Sequence, residues 1–302
     1  MQRGVTLIGP VSNDIVQVPG HPKRQQPGGA VFYAGMALCA LGVPVNIITR
    51  LAPHDAPALL TPLRNAGATI IALPSAHTTS FINSYGPDTD ERTQEVSACA
   101  APFTIEDMQF ISTQWVYFGP LLCADIASEL IRHVADRGAH HIALDAQGLL
   151  RRATDRKVLP IEWPDNNEIL PRIDILKADA EEAALLTAQP DPEMAARILC
   201  GRGADHALVT LGDGGAIMCH RGALIRQRAC RPANQNWPVV DTTGCGDTFL
   251  AAYLACIIEG KQAAYAGRFA VAAAALKLTS FGPLCADMAQ VSRLAENCPD
   301  FL

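Results

Sequence analysis

The chain has 302 residues, of which 49% are hydrophobic and 18% charged, and its net charge is -6 at pH 7. A chain of this length buries roughly three quarters of its unfolded surface, which predicts a large core. The acidic balance excludes a general attraction to nucleic acid or to an anionic membrane surface, so an anionic ligand has to be held by local groups.

In chain order, Val5 to Gly9 reads as a first strand, followed by a helix over Ala30 to Leu41 and a strand over Val45 to Thr49. A helix over Ala56 to Ala66 comes next, then strands over Trp115 to Phe118 and His141 to Asp145 on either side of a helix over Ala124 to Arg137. Beyond these lie a strand over Ile173 to Lys177, helices over Ala180 to Thr187 and Pro192 to Gly201, and a strand over Ala207 to Leu211. Helices over Asp247 to Glu259 and Ala264 to Leu278 complete the series. The alternation predicts an α/β fold, a mostly parallel sheet covered by helices.

Residues 78–100 break the alternation: two polar-alternating stretches flank Gly86-Pro87-Asp88 and read as a hairpin. Together with Asp14 to Val18 this hairpin predicts a small sheet outside the main one, and because a hairpin is not stable alone it should lean over a cleft. No repeat, low-complexity tract or long linker divides the chain. Residues 1–302 therefore read as a single domain with a β lid from about residues 11–27 and 78–100.

The longest apolar runs, Phe249 to Ile258 and Phe269 to Leu276, fall far short of the ~20 residues of a membrane helix. The first residues, MQRGVTLIGPV, lack the apolar segment of a secretory signal, so no export is expected. The 10 cysteines are scattered from Cys39 to Cys298 without a C-x-x-C pair, and the histidines are not clustered. Neither a zinc site nor a disulfide framework is expected, and this usage fits a reducing cytoplasm.

The richest stretch is Asp241-Thr242-Thr243-Gly244-Cys245-Gly246-Asp247, which precedes an apolar helical stripe at Phe249, Leu250, Tyr253, Leu254, Ile257 and Ile258. A helix N-terminus presents unpartnered N–H groups and the positive end of the macrodipole. Gly244 and Gly246 let those groups approach a phosphate, and Asp247 in the first turn is available as a cap or as a base.

Three further stretches carry weaker signals. Pro27-Gly28-Gly29-Ala30 is a sharp turn before a helix of small residues. Asp179 and Glu182 stand three apart at a strand end entering a helix, which suits a water-bridged Mg²⁺ and equally suits a capping box. Thr210-Leu211-Gly212-Asp213-Gly214-Gly215 runs from a strand into a glycine turn, where open α/β sheets bind ligands, although a plain hairpin turn has the same composition. No G-x-x-x-x-G-K-[ST] occurs, and no G-x-G-x-x-G follows the first strand, which excludes a P-loop and argues against a dinucleotide fold.

Together and in this order, these stretches resemble the ribokinase-like, PfkB family of carbohydrate and nucleoside kinases, from Gly9 to about Gly282. The resemblance implies a three-layer αβα fold with a small β lid, and ATP-dependent phosphorylation of a hydroxyl. Under it, Asp247 looks like the catalytic base and Gly244, Cys245 and Gly246 like the anion hole. Asp14, Gly28 and Gly29 match positions that grip acceptor hydroxyls; separately, the lid residues Asn83 and Arg92 are candidates to contact the acceptor or a phosphate. Thr210, Gly212, Gly215 and Thr242 would lie along the nucleotide. Asp179 and Glu182 match the motif that orders Mg²⁺ and its waters, and Asp241 with Thr243 resembles the K⁺ loop of some members.

The chain departs from the family pattern at several positions. Cys245 replaces the usual alanine, Asp179 replaces the usual asparagine, and Val271 stands where many members carry Asn or His near the nucleotide. Ser12 replaces the asparagine that ribokinases use on the sugar, which argues against ribose. Asp145-Ala146-Gln147-Gly148-Leu149-Leu150-Arg151 looks like the D-x-Q-G-x-x-R of a subset that includes plant myo-inositol kinases, and makes Gln147 a substrate candidate. An inositol-like polyol or a monosaccharide is therefore ranked above a nucleoside, an alternative kept open by Phe32, Tyr33 and Phe81. A silent sugar-binding protein is the third reading, disfavoured by the intact Asp247. Relatives often pair through lid edges, and an uncovered hairpin edge would favour a homodimer through the lid, with a monomer as the alternative.

Overall fold

The computed structural model describes residues 2–17, 23–85, 92–230 and 239–298, with the backbone alone at Tyr85 and Arg92. The predicted turn Gly86-Pro87-Asp88 and residues 18–22 of the lid segment lie outside these.

The first half contains β1 (Gln2–Ile8), β2 (Ser12–Gln17), β3 (Arg24–Gly28), α1 (Ala30–Ala40), β4 (Val45–Leu51), α2 (Ala56–Asn65) and β5 (Thr69–Pro74). It continues with β6 (Ser80–Tyr85), β7 (Arg92–Ala98), β8 (Thr113–Phe118), α3 (Ser128–Ala135) and β9 (His141–Asp145). There follow β10 (Arg151–Thr154), β11 (Lys157–Pro160), α4 (Asn166–Ile169), β12 (Ile175–Asp179), α5 (Ala180–Thr187) and α6 (Pro192–Gly201). The chain closes with β13 (His206–Thr210), β14 (Ala216–His220), β15 (Ala223–Gln227), α7 (Cys245–Ile258), α8 (Ala263–Leu278) and α9 (Met288–Glu296).

The main sheet has the order β15-β14-β13-β12-β9-β8-β1-β4-β5. From β13 to β5 every neighbouring pair is parallel, and β14 and β15 extend one edge as an antiparallel meander. Alternation along the strands divides the core: Leu7 and Ile47 pack with α1, α7 and α8, whereas their neighbours Ile8 and Ile48 pack with α3, α5 and α6. No helix of the described residues is long and apolar enough to cross a membrane.

A second sheet, β10-β11-β7-β6-β2-β3, stands apart from the first. Its face packs Phe81 and Val96 onto Leu121, Leu122 and Ala30, so it sits over the end of the main sheet where β1 and β8 run out. The β10–β11 hairpin in this sheet was not expected from the sequence, because its alternation spans only four residues on each side.

Other differences have local causes. The helix expected over Ala124 to Arg137 forms only over Ser128–Ala135, because the buried Asp125 carboxylate accepts the Leu121 and Leu122 amides, each at 2.8 Å, and holds that segment as a turn. Helix α7 begins two residues earlier than expected, at Cys245.

Cysteine usage requires a correction. Cys230, just past β15, is bonded to Cys298, just past α9, across a sequence separation of 68. Such a pair leaves no spacing signature; the fold brings the two ends together. Cys39, Cys99, Cys123, Cys200, Cys219, Cys245, Cys256 and Cys285 are free thiols.

Candidate active site

Helix α7 starts after Gly244, at φ 79°, and among the described residues no side-chain cap bond closes its start. A Cβ at Gly244 would overlap the ring of Tyr33 on α1, so the left-handed backbone and the close approach both require glycine. The first helical bond is Thr248 N–H to the Gly244 carbonyl at 2.9 Å, and the Cys245 amide donates to the Thr242 carbonyl at a longer 3.3 Å. The Gly246 and Asp247 amides fall within the first turn, where a helix supplies no acceptor. The terminus can therefore receive an anion through these two amides more readily than through Cys245. Burial is the first cause that pushes the Cys245 thiol up to about 12, so it stays protonated beside the loop.

Asp247 is half-buried and its carboxyl is pushed up to about 7. Burial is the largest cause; Asp145 and Glu182 add to it, whereas Lys177 and Arg151 oppose it. These groups form a polar cluster at the carboxyl ends of β9 and β12. Lys177 Nζ lies 3.2 Å from Asp145 Oδ2 and 3.9 Å from Glu182 Oε2, and Arg151 reaches Glu182 Oε1 at 3.2 Å. Burial acts to lower the Lys177 pKa, but the carboxylates around it outweigh burial and hold it above its ordinary value. The hydroxyl of the fully buried Tyr117 has no hydrogen-bond partner among the described residues and feels both Asp145 and Asp247.

Asp179 and Glu182 form a reciprocal capping box at the start of α5: the Glu182 amide donates to Asp179 Oδ1 at 2.8 Å and the Asp179 amide to Glu182 Oε2 at 2.9 Å. The box points Glu182 into the same polar cluster. Lys177 had no role assigned from sequence; a lysine inside an apolar strand was its visible signal. Tyr117 gave no such signal.

On one side of α7 lies a cavity of about 590 Å³. Thr210, Gly212, Gly215 and Thr242 all line it, as do Cys245 and Gly246. The glycine turn is both things the sequence allowed, the bend of the β13–β14 hairpin and a cavity wall. The opposite wall is apolar, made of Phe249, Val271, Ala274, Ala275 and Leu278.

The second sheet, the lid, packs against Ala30 at the start of α1 and Leu121 and Leu122 after β8. Asp14 is buried and accepts from Ser12 Oγ at 2.7 Å, and a Cβ at Gly28 would overlap its carboxylate, so glycine there leaves room for the acid. Gly29 follows as the N-cap of α1. Asn83 shares a sheet face with Asp14 through the β2–β6 register and accepts from Gln94 Nε2 at 2.9 Å. Gln147 follows the end of β9, its main-chain N–H donating to Asp145 Oδ1 at 3.0 Å. Arg92 begins β7, and its side chain lies outside the described residues.

The segment entering α7 is pinned by charge. Lys277, with no exposure, donates to the Asp241 carbonyl at 2.8 Å and pairs with its Oδ2 at 3.0 Å. Asp241 Oδ1 accepts the Thr243 amide at 2.9 Å. Burial acts to raise the Asp241 pKa, but these bonds outweigh it and hold the carboxyl below its usual range.

Elsewhere, Asp205, His206 and His220 bring ligand atoms within 4.8 Å of one another. The two imidazoles stack 3.9 Å apart at 17°, so their in-plane lone pairs run parallel, and His206 Nδ1 is engaged with Tyr253 Oη.

The pfkB family carbohydrate kinase signature matches residues 64–287, and the chain belongs to that family. A ribokinase of Arabidopsis thaliana is 39% identical over 121 residues, a stretch covering 38% of this chain and 31% of that protein, so the match spans about a third of the relative's length. A pyrophosphate-dependent kinase in the ribokinase family, solved with sulfate, superposes with a TM-score of 0.84 at 31% identity, covering 93% of this chain and 97% of the other. A pyrophosphate-dependent kinase in the ribokinase family complexed with a pyrophosphate analog and myo-inositol gives 0.83 at 29% identity, with the same coverage. The architecture is the ribokinase-like α/β fold.

Proposed function

We propose that the protein phosphorylates a hydroxyl of a small polyol or sugar, with an inositol-like acceptor favoured, and that Asp247 is the base. The observation that carries this reading is the placement of Asp247 in the first turn of α7, next to Gly246 of the cavity wall and within the field of Arg151 from the second sheet. Phosphoryl transfer needs positioning and charge neutralisation more than covalent chemistry. The amides of Gly246 and Asp247, backed by the α7 dipole and by Lys177, face the developing charge, and Asp247 takes the hydroxyl proton.

Asp14 and Asn83 under the lid, with Gln147 at the end of β9, are the proposed acceptor contacts. The aromatic groups that kept a nucleoside open are core residues: Phe32, Tyr33 and Phe81 are 3%, 2% and 5% exposed, which leaves little face for stacking on a base. The likeness to the myo-inositol complex supports the polyol reading.

The carboxylates of Asp179 and Glu182 supply hard oxygen donors; the capping box ties Asp179 Oδ1 and Glu182 Oε2, and Arg151 shares Glu182 Oε1. This set suits a hydrated Mg²⁺ held through its waters, which would neutralise donor phosphates. For the donor, the apolar wall of the cavity supports ATP, since a nucleobase needs such a surface. Pyrophosphate is the second reading, favoured by the 31% identity to a pyrophosphate-dependent kinase. Initial rates over inositols, hexoses, pentoses and nucleosides, each with MgATP and with Mg-pyrophosphate, test both choices. Turnover with nucleosides alone would overturn the acceptor ranking.

A further inference from the structure

The approach to α7 contains a fully buried cation that belongs to the chain itself. Lys277 comes from the last turn of α8 and its ammonium meets both the main-chain oxygen and Oδ2 of Asp241. The remaining contacts fix the same corner: the Thr243 amide on Oδ1, the Gly282 amide on Oδ2 at 3.2 Å, and the Val240 amide on the Leu278 carbonyl at 2.8 Å. Asp241 and Thr243 are the residues that the family resemblance assigns to a K⁺ loop.

These residues do not fit a bound K⁺. Such an ion requires several oxygens turned inward, whereas the carbonyl and carboxylate of Asp241 are both turned to Lys277. A second cation beside the enclosed ammonium would meet a like charge where little solvent screens it. An ammonium carries the same charge as K⁺ and meets oxygens at similar separations, so it can hold this loop in the same way.

We propose that Lys277 is a built-in replacement for the monovalent cation, and that this chain orders its anion hole without K⁺. Lys277 acts through Asp241 and the segment Thr242–Gly244, so it is a positioning residue. The charge is present at every ionic composition, and the site therefore has no potassium switch.

The test has two arms, of which only the first rests on the kinase reading. Wild-type initial rates are measured with K⁺, Na⁺ or tetramethylammonium as the sole monovalent cation at equal ionic strength; indistinguishable rates are expected. Thallium(I) NMR then reports ion binding without turnover, and no saturable binding to the wild type is expected. In Lys277→Met, the rate in tetramethylammonium should drop by roughly 10-fold or more, K⁺ should restore part of it, and saturable thallium binding should appear. Lys277→Arg should keep more activity than Lys277→Met. A wild-type rate that requires K⁺, or saturable thallium binding to the wild type, overturns the proposal. If Lys277→Met does not fold, both wild-type arms still decide. An absence of turnover with every acceptor would count against the kinase reading and leave the thallium arm intact.

Discussion

A methyl group added at Gly246 would sit 3.2 Å from the ammonium of Lys177, so a buried lysine lies directly against the helix turn that faces the proposed phosphoryl group. The same lysine opposes the upward shift of the Asp247 pKa. Replacing it with methionine removes a positive charge from the anion hole, and kcat should fall by about 10²- to 10³-fold. The acid limb of the pH–rate profile should also move to higher pH, because Asp145 and Glu182 then act on Asp247 with less compensation. A steady-state pH profile of Lys177→Met checks both, and an unmoved limb would show that Lys177 supports only packing.

Asp247→Asn should lose about 10²- to 10⁴-fold in turnover, the usual contribution of an aligned base. In the wild type, kcat/KM should fall about tenfold per pH unit below the Asp247 pKa, which lies at about 7. Stability moves in the opposite sense. An acid whose pKa is raised from 3.8 to about 7 in the folded state holds its proton longer than the unfolded chain does, so its contribution weakens as pH rises through that window. Asp247→Asn should therefore melt higher than wild type at about pH 8 and lose this advantage below about pH 4. Melting curves across pH measure the difference.

Gly244→Ala combines a positive φ with overlap of the Tyr33 ring. It should destabilise the fold by about 1–3 kcal/mol and distort the start of α7. Denaturant unfolding gives the first quantity. Weaker donor binding, by calorimetry, gives the second.

Cys230 belongs to the wall of the donor-side cavity and its disulfide anchors the end of α9. Cys298→Ser should cost about 2–4 kcal/mol of stability, and mild reduction of the wild type should do the same. KM for the donor should rise while KM for the acceptor stays unchanged, since Cys230 and Cys298 pack in the α7–α8 core cluster and the lid packs in a separate one. Parallel donor and acceptor titrations check that split.

Much of this arrangement was legible in the residues. The glycine-rich entry to α7, Asp247, and the alternation that builds the parallel sheet all follow from local composition, and the β6–β7 part of the second sheet follows from the polar hairpin of residues 78–100, whereas its β10–β11 hairpin does not. Groups that act from a distance in sequence were not legible. Asp145 and Arg151 were visible only as parts of a short motif, and Lys177 only as an odd residue in an apolar strand. The meeting of all three around Asp247 depends on the β9–β12 pairing, and the Cys230–Cys298 and Lys277–Asp241 pairs depend on how α8 and α9 return to the cavity.

Phosphorus NMR of a reaction containing myo-inositol, Mg²⁺ and either ATP or pyrophosphate, run with wild type and with Asp247→Asn, tests the base and its anion hole most directly. Growth of a phosphomonoester signal with wild type and its near absence with the folded variant is the predicted result. Equal product from both proteins would contradict the role of Asp247, and no product from folded wild type with any polyol, sugar or nucleoside in place of inositol would contradict the kinase assignment itself.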